Sequence, residues 1–326
     1  MTLNLSTCRH VLPTFAISLL LTVPAWAAGF PVTIENAFGT TTVPAKPLRV
    51  VSIGYVEQDF LYALGVAPVG VREWFGGKPY ATWEWAEPAR AALDAKPEVF
   101  QGDSINLEWV LAQNPDLIVG TFVEMDQAGY DELSKIAPVV ALPKGYDAWG
   151  APWRVELRDI DLATSGDTTR SDKIAADIDA RFAAVRAAHP EFAGKVGTEL
   201  YYSEGNFTLF DERDPTSRFL IDLGLTFPPE FAGKGGEGNM ISVSAENLRS
   251  LDFDVAVWPV NTDVSEARAT VEAVPLYQQT KLYKHSVWLD DGGVLTGALT
   301  YQSPLAIDYL LDEMPGRIAA ALAGTP

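Results

Sequence analysis

Short apolar runs alternate with helix-like segments along most of this chain. The apolar run Leu48–Gly54 predicts a buried strand, and Glu57–Leu64 follows with apolar residues at helical spacing. Gly65 then supplies a residue that tolerates the left-handed conformation at a helix end. A helix over Asn106–Gln113 and a strand over Asp116–Gly120 repeat the pattern. This alternation predicts the α/β class, with mostly parallel sheets flanked by helices.

The second half of the chain has the same alternation, which favours two lobes rather than one continuous sheet. Its expected strands are Thr198–Ser203 and Val255–Trp258, and its expected helices are Arg218–Leu223, Ala245–Leu251 and Ser303–Leu322, with a break in the last one at Pro315. A chain of this length, with 48% hydrophobic residues, is long enough for two such lobes.

A long amphipathic helix is expected between the two halves, from about Thr168 to Ala188. Its apolar stripe consists of Ile174, Ile178, Phe182 and Val185. An ordinary surface helix is one interpretation, and a rigid connector between lobes is the other, favoured because the alternation restarts afterwards. The predicted organisation is a signal peptide (1–27), a first lobe (28–167), the connecting helix (168–189) and a second lobe (190–326).

The N-terminal residues have the pattern of a secretory signal peptide. Arg9 and His10 precede the apolar run Val11–Val23, which ends near an Ala-Trp-Ala cleavage site at 25–27. Cys8 is the only cysteine and precedes the run, whereas a lipid anchor would need a cysteine at the cleavage point. We therefore expect a protein exported to the periplasm, not lipid-anchored, and without a disulfide or a thiolate site once it is cleaved.

The formal net charge of −19 opposes binding to polyanions. Phosphate backbones and anionic lipid surfaces attract basic patches, and so strong an acidic excess repels them. Nucleic acid is therefore not expected as a partner.

Aromatic residues are concentrated in one segment, 74–85, whose glycines and Pro79 predict a loop. Tyr80 and Trp74 in this segment are expected on the wall of a binding cleft. For Trp83 and Trp85 two interpretations stay open, a cleft wall or a small core packed beneath the loop.

Other motifs give weaker signals. Gly233–Gly238 matches G-x-G-x-x-G, but two prolines precede it and no helix follows, so it predicts a loop rather than a dinucleotide site. Tyr201 and Tyr202 are adjacent on a predicted strand and should face opposite sides. No metal site is expected, because His189 and His285 are far apart in the sequence. A hydrolase would need two cleft carboxyls within about 5 to 10 Å.

Four segments together resemble a known family. They are 47–71, 105–121, 130–142 and 241–258, and they are similar to the periplasmic substrate-binding proteins of ABC importers for iron–siderophore complexes and cobalamin. The resemblance covers nearly all of the chain after residue 27, and the segments occur in the order of the family.

The resemblance implies two lobes joined by one long helix, with the ligand in the cleft between them. It implies a ferric siderophore, with the hydroxamate type as one candidate class, that the protein delivers to ABC permease subunits. Iron would be bound only through the siderophore, so neither a cofactor nor catalysis is expected, and the protein would be a monomer. A cobalamin or haem carrier of the same fold, or an exported carboxylate-dependent hydrolase, are the alternatives.

The expected ligand contacts of the first lobe are Tyr55, Trp74 and Tyr80, with Trp149 and Trp153 near the crossing to the second lobe. In the second lobe they lie in or just after strand-to-loop junctions, at Phe207, Arg213, Trp258 and Tyr301. Arg154 is expected either to meet ligand oxygens or to form a surface ion pair.

Two glutamates match the positions with which the family docks to its permease. They are Glu108 and Glu246, each two residues after a polar N-cap candidate, Asn106 and Ser244. First-turn glutamates also stabilise helices through the dipole, which is the alternative interpretation.

Overall fold

The computed structural model describes residues 29–260, 263–289 and 292–324. The predicted signal peptide, residues 1–27, lies outside the described residues. Of the helices in these ranges, none combines the length and the apolar character needed to cross a bilayer.

A five-stranded parallel sheet forms the centre of the first lobe. A hairpin precedes it, β1 (Val32–Asn36) and β2 (Gly39–Val43). The sheet strands are β3 (Val50–Ser52), β4 (Gly70–Arg72), β5 (Glu98–Phe100), β6 (Leu117–Gly120) and β7 (Val139–Ala141), in the order β5-β4-β3-β6-β7. The central strands are buried on both faces, which explains their unbroken apolar runs.

Helices cover both faces of this sheet. They are α1 (Glu57–Ala63), α2 (Glu87–Ala92), α3 (Leu107–Ala112), α4 (Gln127–Ser134) and α5 (Trp153–Ser165). The aromatic segment forms a loop with a short 3-10 turn at Pro79–Ala81.

The predicted long helix is confirmed as α6 (Thr169–Ala188). Ile178 and Phe182 from its apolar stripe are buried, while Ile174 and Val185 are half-buried. The helix packs against α5, and a short 3-10 turn at Pro190–Phe192 ends it.

The second lobe contains two sheets rather than one. Its elements are β8 (Gly197–Glu199), β9 (Tyr201–Ser203), β10 (Asn206–Phe210), α7 (Pro215–Asp222), β11 (Met240–Ser244), β12 (Val255–Trp258), α8 (Val264–Glu272), β13 (Ser286–Trp288), α9 (Val294–Tyr301) and α10 (Pro304–Leu322). Short 3-10 turns lie at Glu237–Asn239, Tyr277–Gln279 and Lys281–Tyr283. A parallel sheet has the order β13-β12-β8, and an antiparallel sheet has the order β11-β10-β9.

Two expectations for the second lobe were wrong. The single strand over 198–203 is two strands that belong to different sheets, with Leu200 between them. The expected helix over Ala245–Leu251 has the predicted bounds and is of the 3-10 type. The helix α10 continues through Pro315, because buried neighbours such as Met314 and Ile318 hold the turn in place despite the missing backbone donor.

The largest hydrophobic core is shared by both lobes. It joins Phe60 of α1 and Trp83 of the aromatic loop to Phe219 of α7 and Leu310 of α10. The helix α10 contacts α1 and α6 as well as β12 and β13. The α/β architecture with flanking helices is thus confirmed, and its lobes are packed on common residues.

Candidate functional site

A cleft of about 430 Å³ opens between the two lobes, and we call it the main chamber. Its first wall consists of Tyr55, Trp74, Phe122 and Trp149. Its second wall includes Tyr201, Phe210, Asp214, Thr216, Gly238 and Met240. Tyr55, Trp74 and Phe122 each follow the carboxyl end of a parallel strand, β3, β4 and β6, where open α/β sheets place their ligands.

The rings of the first wall are stacked in a row. Tyr55 lies between Trp149, at 5.9 Å between ring centroids, and Trp74, at 5.1 Å, with interplanar angles of 22° and 24°. Phe122 meets Trp149 edge-on at 4.7 Å. Rings fixed by their neighbours offer contact area to a ligand at low entropic cost.

The structure decides between the two interpretations of Trp83 and Trp85, a cleft wall or a small core beneath the aromatic loop. Both are buried and stack on each other at 5.1 Å and 9°. Trp85 Nε1 donates a hydrogen bond of 2.7 Å to Asp59 Oδ2, a carboxylate that also accepts one from Ser303. These two tryptophans therefore belong to the core beneath the loop.

Tyr80 lies away from the lining of the main chamber. Its side chain is partly exposed, and the Arg90 guanidinium lies 4.6 Å from its ring centroid. The expected ligand contact at Tyr80 is not supported by this placement.

Three expected contact residues are buried in the core instead of lining the chamber, which corrects the expectation. Phe207 and Trp258 are 0% and 2% exposed, and Trp258 stacks on Trp288 at 4.7 Å and donates to Ser286 Oγ. Tyr301 is 3% exposed and lies behind Trp74, with 5.7 Å between the ring centroids.

Trp153 and Arg154 also lie outside the main chamber. Trp153 is buried, and both residues line a smaller cavity of about 140 Å³ behind it. Arg154 forms ion pairs with Asp179 and Asp222, which supports the ion-pair interpretation of this residue.

Arg213 lies on the second lobe and connects it to the first. Its guanidinium is 2.6 Å from the buried Asp211 and 3.7 Å from Asp147, which precedes α5. Because the contact with Asp147 is exposed to solvent, it contributes little to the stability of the fold. Direct contact of Arg213 with a ligand stays a prediction.

A second cavity of about 520 Å³ adjoins the main chamber, and we call it the side chamber. The two share Tyr55 and Trp149. Arg72, at the end of β4, contributes to the side-chamber lining and is 2% exposed. The sequence analysis missed Arg72, although an arginine that directly continues a buried apolar strand is an unusual signal.

Buried carboxyls lie under the second wall. Glu199 is fully buried and accepts hydrogen bonds from Ser217 Oγ at 3.2 Å and Thr198 Oγ1 at 3.1 Å. Burial, and then the nearby charge of Asp214, raises the pKa of Glu199.

In the described ranges, no three His, Cys, Asp or Glu side chains are grouped so that they could hold a metal ion.

The two expected docking glutamates are both exposed, one on each lobe. Glu108 lies in the first turn of α3, which Asn106 caps by accepting from Trp109 N at 3.0 Å. Glu246 lies in the 3-10 helix Ala245–Leu251, and Ser244 makes no capping hydrogen bond there.

Stability should fall as the pH rises, because Glu57 at the start of α1 is buried. Burial raises its pKa to about 7, although it accepts a hydrogen bond of 2.7 Å from Phe122 N. The folded state therefore binds a proton more tightly than the unfolded state, so the stabilisation is complete below the ordinary pKa of 4.5 and lost as the pH rises through about 7. We expect a loss on the order of 1 kcal/mol per pH unit from this group between pH 5 and 7.

Urea unfolding at pH 5, 6, 7 and 8 measures this dependence. Glu57→Gln keeps a neutral side chain of similar shape and should reduce the slope, whereas Glu132→Gln, at an exposed position, should leave it unchanged. Equal slopes for the parent and Glu57→Gln would contradict the assignment.

Comparison with known proteins gives consistent matches over most of the chain. The family model described as "Periplasmic binding protein" matches residues 50–286. A probable siderophore-binding lipoprotein of Bacillus subtilis, YfiY, is 24% identical over 86% of this chain and 86% of its own length. The ferric-anguibactin-binding protein FatB of Vibrio anguillarum is 26% identical over 86% of this chain and 87% of its own.

Solved structures show the same architecture. A periplasmic solute binding protein from Mycobacterium smegmatis has a TM-score of 0.77 and 32% identity, over 90% of this chain and 99% of its own. Streptococcus pneumoniae PiaA in complex with ferrichrome has a TM-score of 0.76 and 26% identity, over 90% of this chain and 99% of its own.

Proposed function

Because this chain belongs to the periplasmic binding protein family, we propose that it captures a ferric siderophore between its lobes and delivers it to an ABC importer. The row of stacked rings Trp149, Tyr55 and Trp74, facing a mixed polar wall across the main chamber, is the observation that carries the proposal. A ferric siderophore is bulky and partly apolar around a polar centre, and such a ligand suits rigid rings with a few polar groups.

Iron is proposed to enter only as the siderophore complex, without a cofactor of the protein itself. The described lining of the main chamber is dominated by aromatic rings, and Asp214 is its single carboxylate. These groups contact the outside of a chelate and do not replace its oxygen ligands.

Binding without catalysis is the activity that we propose. The relatives named above are binding proteins. A carboxylate-dependent hydrolase needs a pair of carboxyl groups in its cleft, whereas the described lining of the main chamber contains one, that of Asp214. The cobalamin and haem alternatives are separated from siderophores by titrating the same protein with each ligand.

Intrinsic fluorescence provides the test, because two tryptophans line the main chamber. Ferric siderophores of the hydroxamate, catecholate and carboxylate types should quench the emission at nanomolar to micromolar concentration if their type is recognised. Iron-free siderophores, cobalamin and haem are the comparison ligands. Saturable quenching by cobalamin or haem alone would contradict the proposal.

Trp149→Ala should weaken siderophore binding by about 10-fold or more, since a well-packed ring contact is worth about 1.4 kcal/mol. Trp149 lines both chambers and lies at one end of the stacked row. Titration calorimetry measures the Kd without relying on emission. Trp109→Ala on α3 removes a tryptophan that lines neither chamber; it is the matched control and should bind like the parent. Equal affinities for the parent and Trp149→Ala would show that Trp149 does not contribute to ligand binding.

Export and docking complete the proposal. We propose that residues 1–27 direct the chain to the periplasm, that the protein acts as a monomer, and that Glu108 and Glu246 contact one permease subunit each. One exposed glutamate on each lobe fits a transporter with two membrane subunits.

A further inference from the structure

Arg72 is a buried cation at the floor of the side chamber. It is 2% exposed, and its known partners are neutral: Nε donates to the carbonyl oxygen of Gly102 at 3.0 Å, and Nη2 donates to the hydroxyl of Tyr55 at 2.8 Å. The guanidinium also lies 4.3 Å from the centroid of the Tyr55 ring. These three contacts fix its plane relative to the chamber.

No carboxylate neutralises this guanidinium within the described residues. No Asp or Glu oxygen in residues 29–260, 263–289 and 292–324 lies within 4.0 Å of it, and Nη1 donates to no atom of these residues. Burying a charge without a counter-ion opposes folding, so buried arginines are ordinarily paired. A buried arginine that has no counter-ion and lines a cavity is therefore positioned to bind an anion that comes from outside the chain.

We propose that Arg72 anchors an anionic oxygen of the bound chelate, and that the ligand is a ferric siderophore with a free carboxylate. This inference rests on the proposed function and narrows the class of its ligand. Nη1 and Nη2 are neighbours in the guanidinium plane, and two such nitrogens can offer the fork that a carboxylate accepts with both oxygens. A neutral tris-hydroxamate complex brings no such group, so the hydroxamate type expected from the sequence is not favoured.

The position of Arg72 lets one ligand use both chambers. Tyr55 holds the guanidinium, belongs to both linings and stacks on Trp74 and Trp149. A chelate on the ring wall can therefore extend one carboxylate arm to the floor of the side chamber.

Exposed carboxylates of the side chamber do not cancel the attraction of Arg72 for an anionic group. Asp103, Glu124 and Asp126 contribute to the side-chamber lining, but all three are exposed to solvent. Water and salt screen exposed charges strongly, whereas a buried guanidinium is screened much less. Arg72 therefore dominates the potential at the floor.

Titration of Arg72 variants with two iron complexes tests the inference. The probes are ferric citrate, which carries free carboxylates, and ferrichrome, a neutral hydroxamate complex, with iron-free citrate as a further probe. Arg72→Met should weaken binding of ferric citrate by roughly 10- to 100-fold, the usual value of a hydrogen bond to a charged group, and change that of ferrichrome less than about threefold. Arg72→Lys should be intermediate, because it keeps the charge without the fork. Arg317→Gln, which removes an exposed arginine on α10, should match the parent.

The stability of the ligand-free variant separates binding from a structural role. Because Arg72 lacks a carboxylate partner, Arg72→Met should unfold at the same temperature as the parent or higher. A markedly lower Tm, or an equal loss of affinity for both complexes, would overturn the inference. A parent that binds ferrichrome but not ferric citrate would overturn it and leave the proposed function intact. A parent that binds no ferric siderophore would overturn the proposed function itself.

Discussion

Replacing Glu108 and Glu246 together by arginine is expected to abolish siderophore-dependent iron uptake while the affinity for the ligand stays at the parental value. Both side chains are exposed, one on each lobe, in the first turn of a helix or of a 3-10 helix. If each contacts an arginine of the permease, reversal places like charges opposite each other, which costs several kcal/mol at an interface. The double change to alanine should reduce uptake as well, but less, because it removes the attraction without adding repulsion.

Uptake of radioactive iron as the siderophore complex, in cells that lack the parental gene, is the measurement. The matched control reverses two other exposed glutamates, Glu132 on the first lobe and Glu230 on the second, and so changes the net charge equally. Full uptake by the Glu108→Arg, Glu246→Arg protein would rule out docking through these residues. Equal loss in the control would assign the effect to total charge.

Tyr301→Ala is expected to destabilise the protein by about 3–5 kcal/mol, the usual cost of removing a buried aromatic side chain. The Tyr301 ring is 3% exposed and contacts Trp74, Trp83 and Trp85, at 5.7, 6.3 and 5.4 Å between centroids. Its loss would leave a cavity between the ring wall and the shared core. Siderophore binding should weaken too, because Trp74 would lose its support.

Urea unfolding of Tyr301→Ala, Tyr301→Phe and Tyr80→Ala measures the loss of free energy of unfolding in each variant. Tyr301→Phe keeps the ring and should cost far less, and Tyr80→Ala removes a partly exposed ring and should cost about 1 kcal/mol or less. A Tyr301→Ala protein with parental stability and reduced affinity would show that the ring contacts the ligand directly.

Strand and helix positions in the first lobe could be predicted because apolar runs there are buried on both faces. Leu117–Gly120 is an example, and it agrees with the expected strand Asp116–Gly120 to within one residue. The break at Leu200 could not be predicted, since strands of two different sheets follow each other there without a glycine or proline between them. Sheet membership depends on partners distant in the chain, which a local pattern does not contain.

The site residues illustrate the same limit. An aromatic residue near a strand end can point to either face of its sheet. On β10, Phe210 lines the main chamber, while Phe207 is buried in the core. Trp258 was expected on the wall, but Trp288, from a neighbouring strand, stacks on it. The structure places Tyr55, Trp74 and Trp149 in the main-chamber lining, and their contact with a ligand stays a prediction until it is measured.

The first wall of the main chamber is attached to the shared core, and this attachment restricts how the protein can diverge. Trp74 contacts Tyr301, so most substitutions on that wall would also lower the stability and be removed by selection. Met240 and Gly238 on the second wall lie at an exposed strand end and a 3-10 turn, outside the hydrophobic clusters. A lineage that acquires a new siderophore is therefore expected to change the second wall first and to inherit the row of rings.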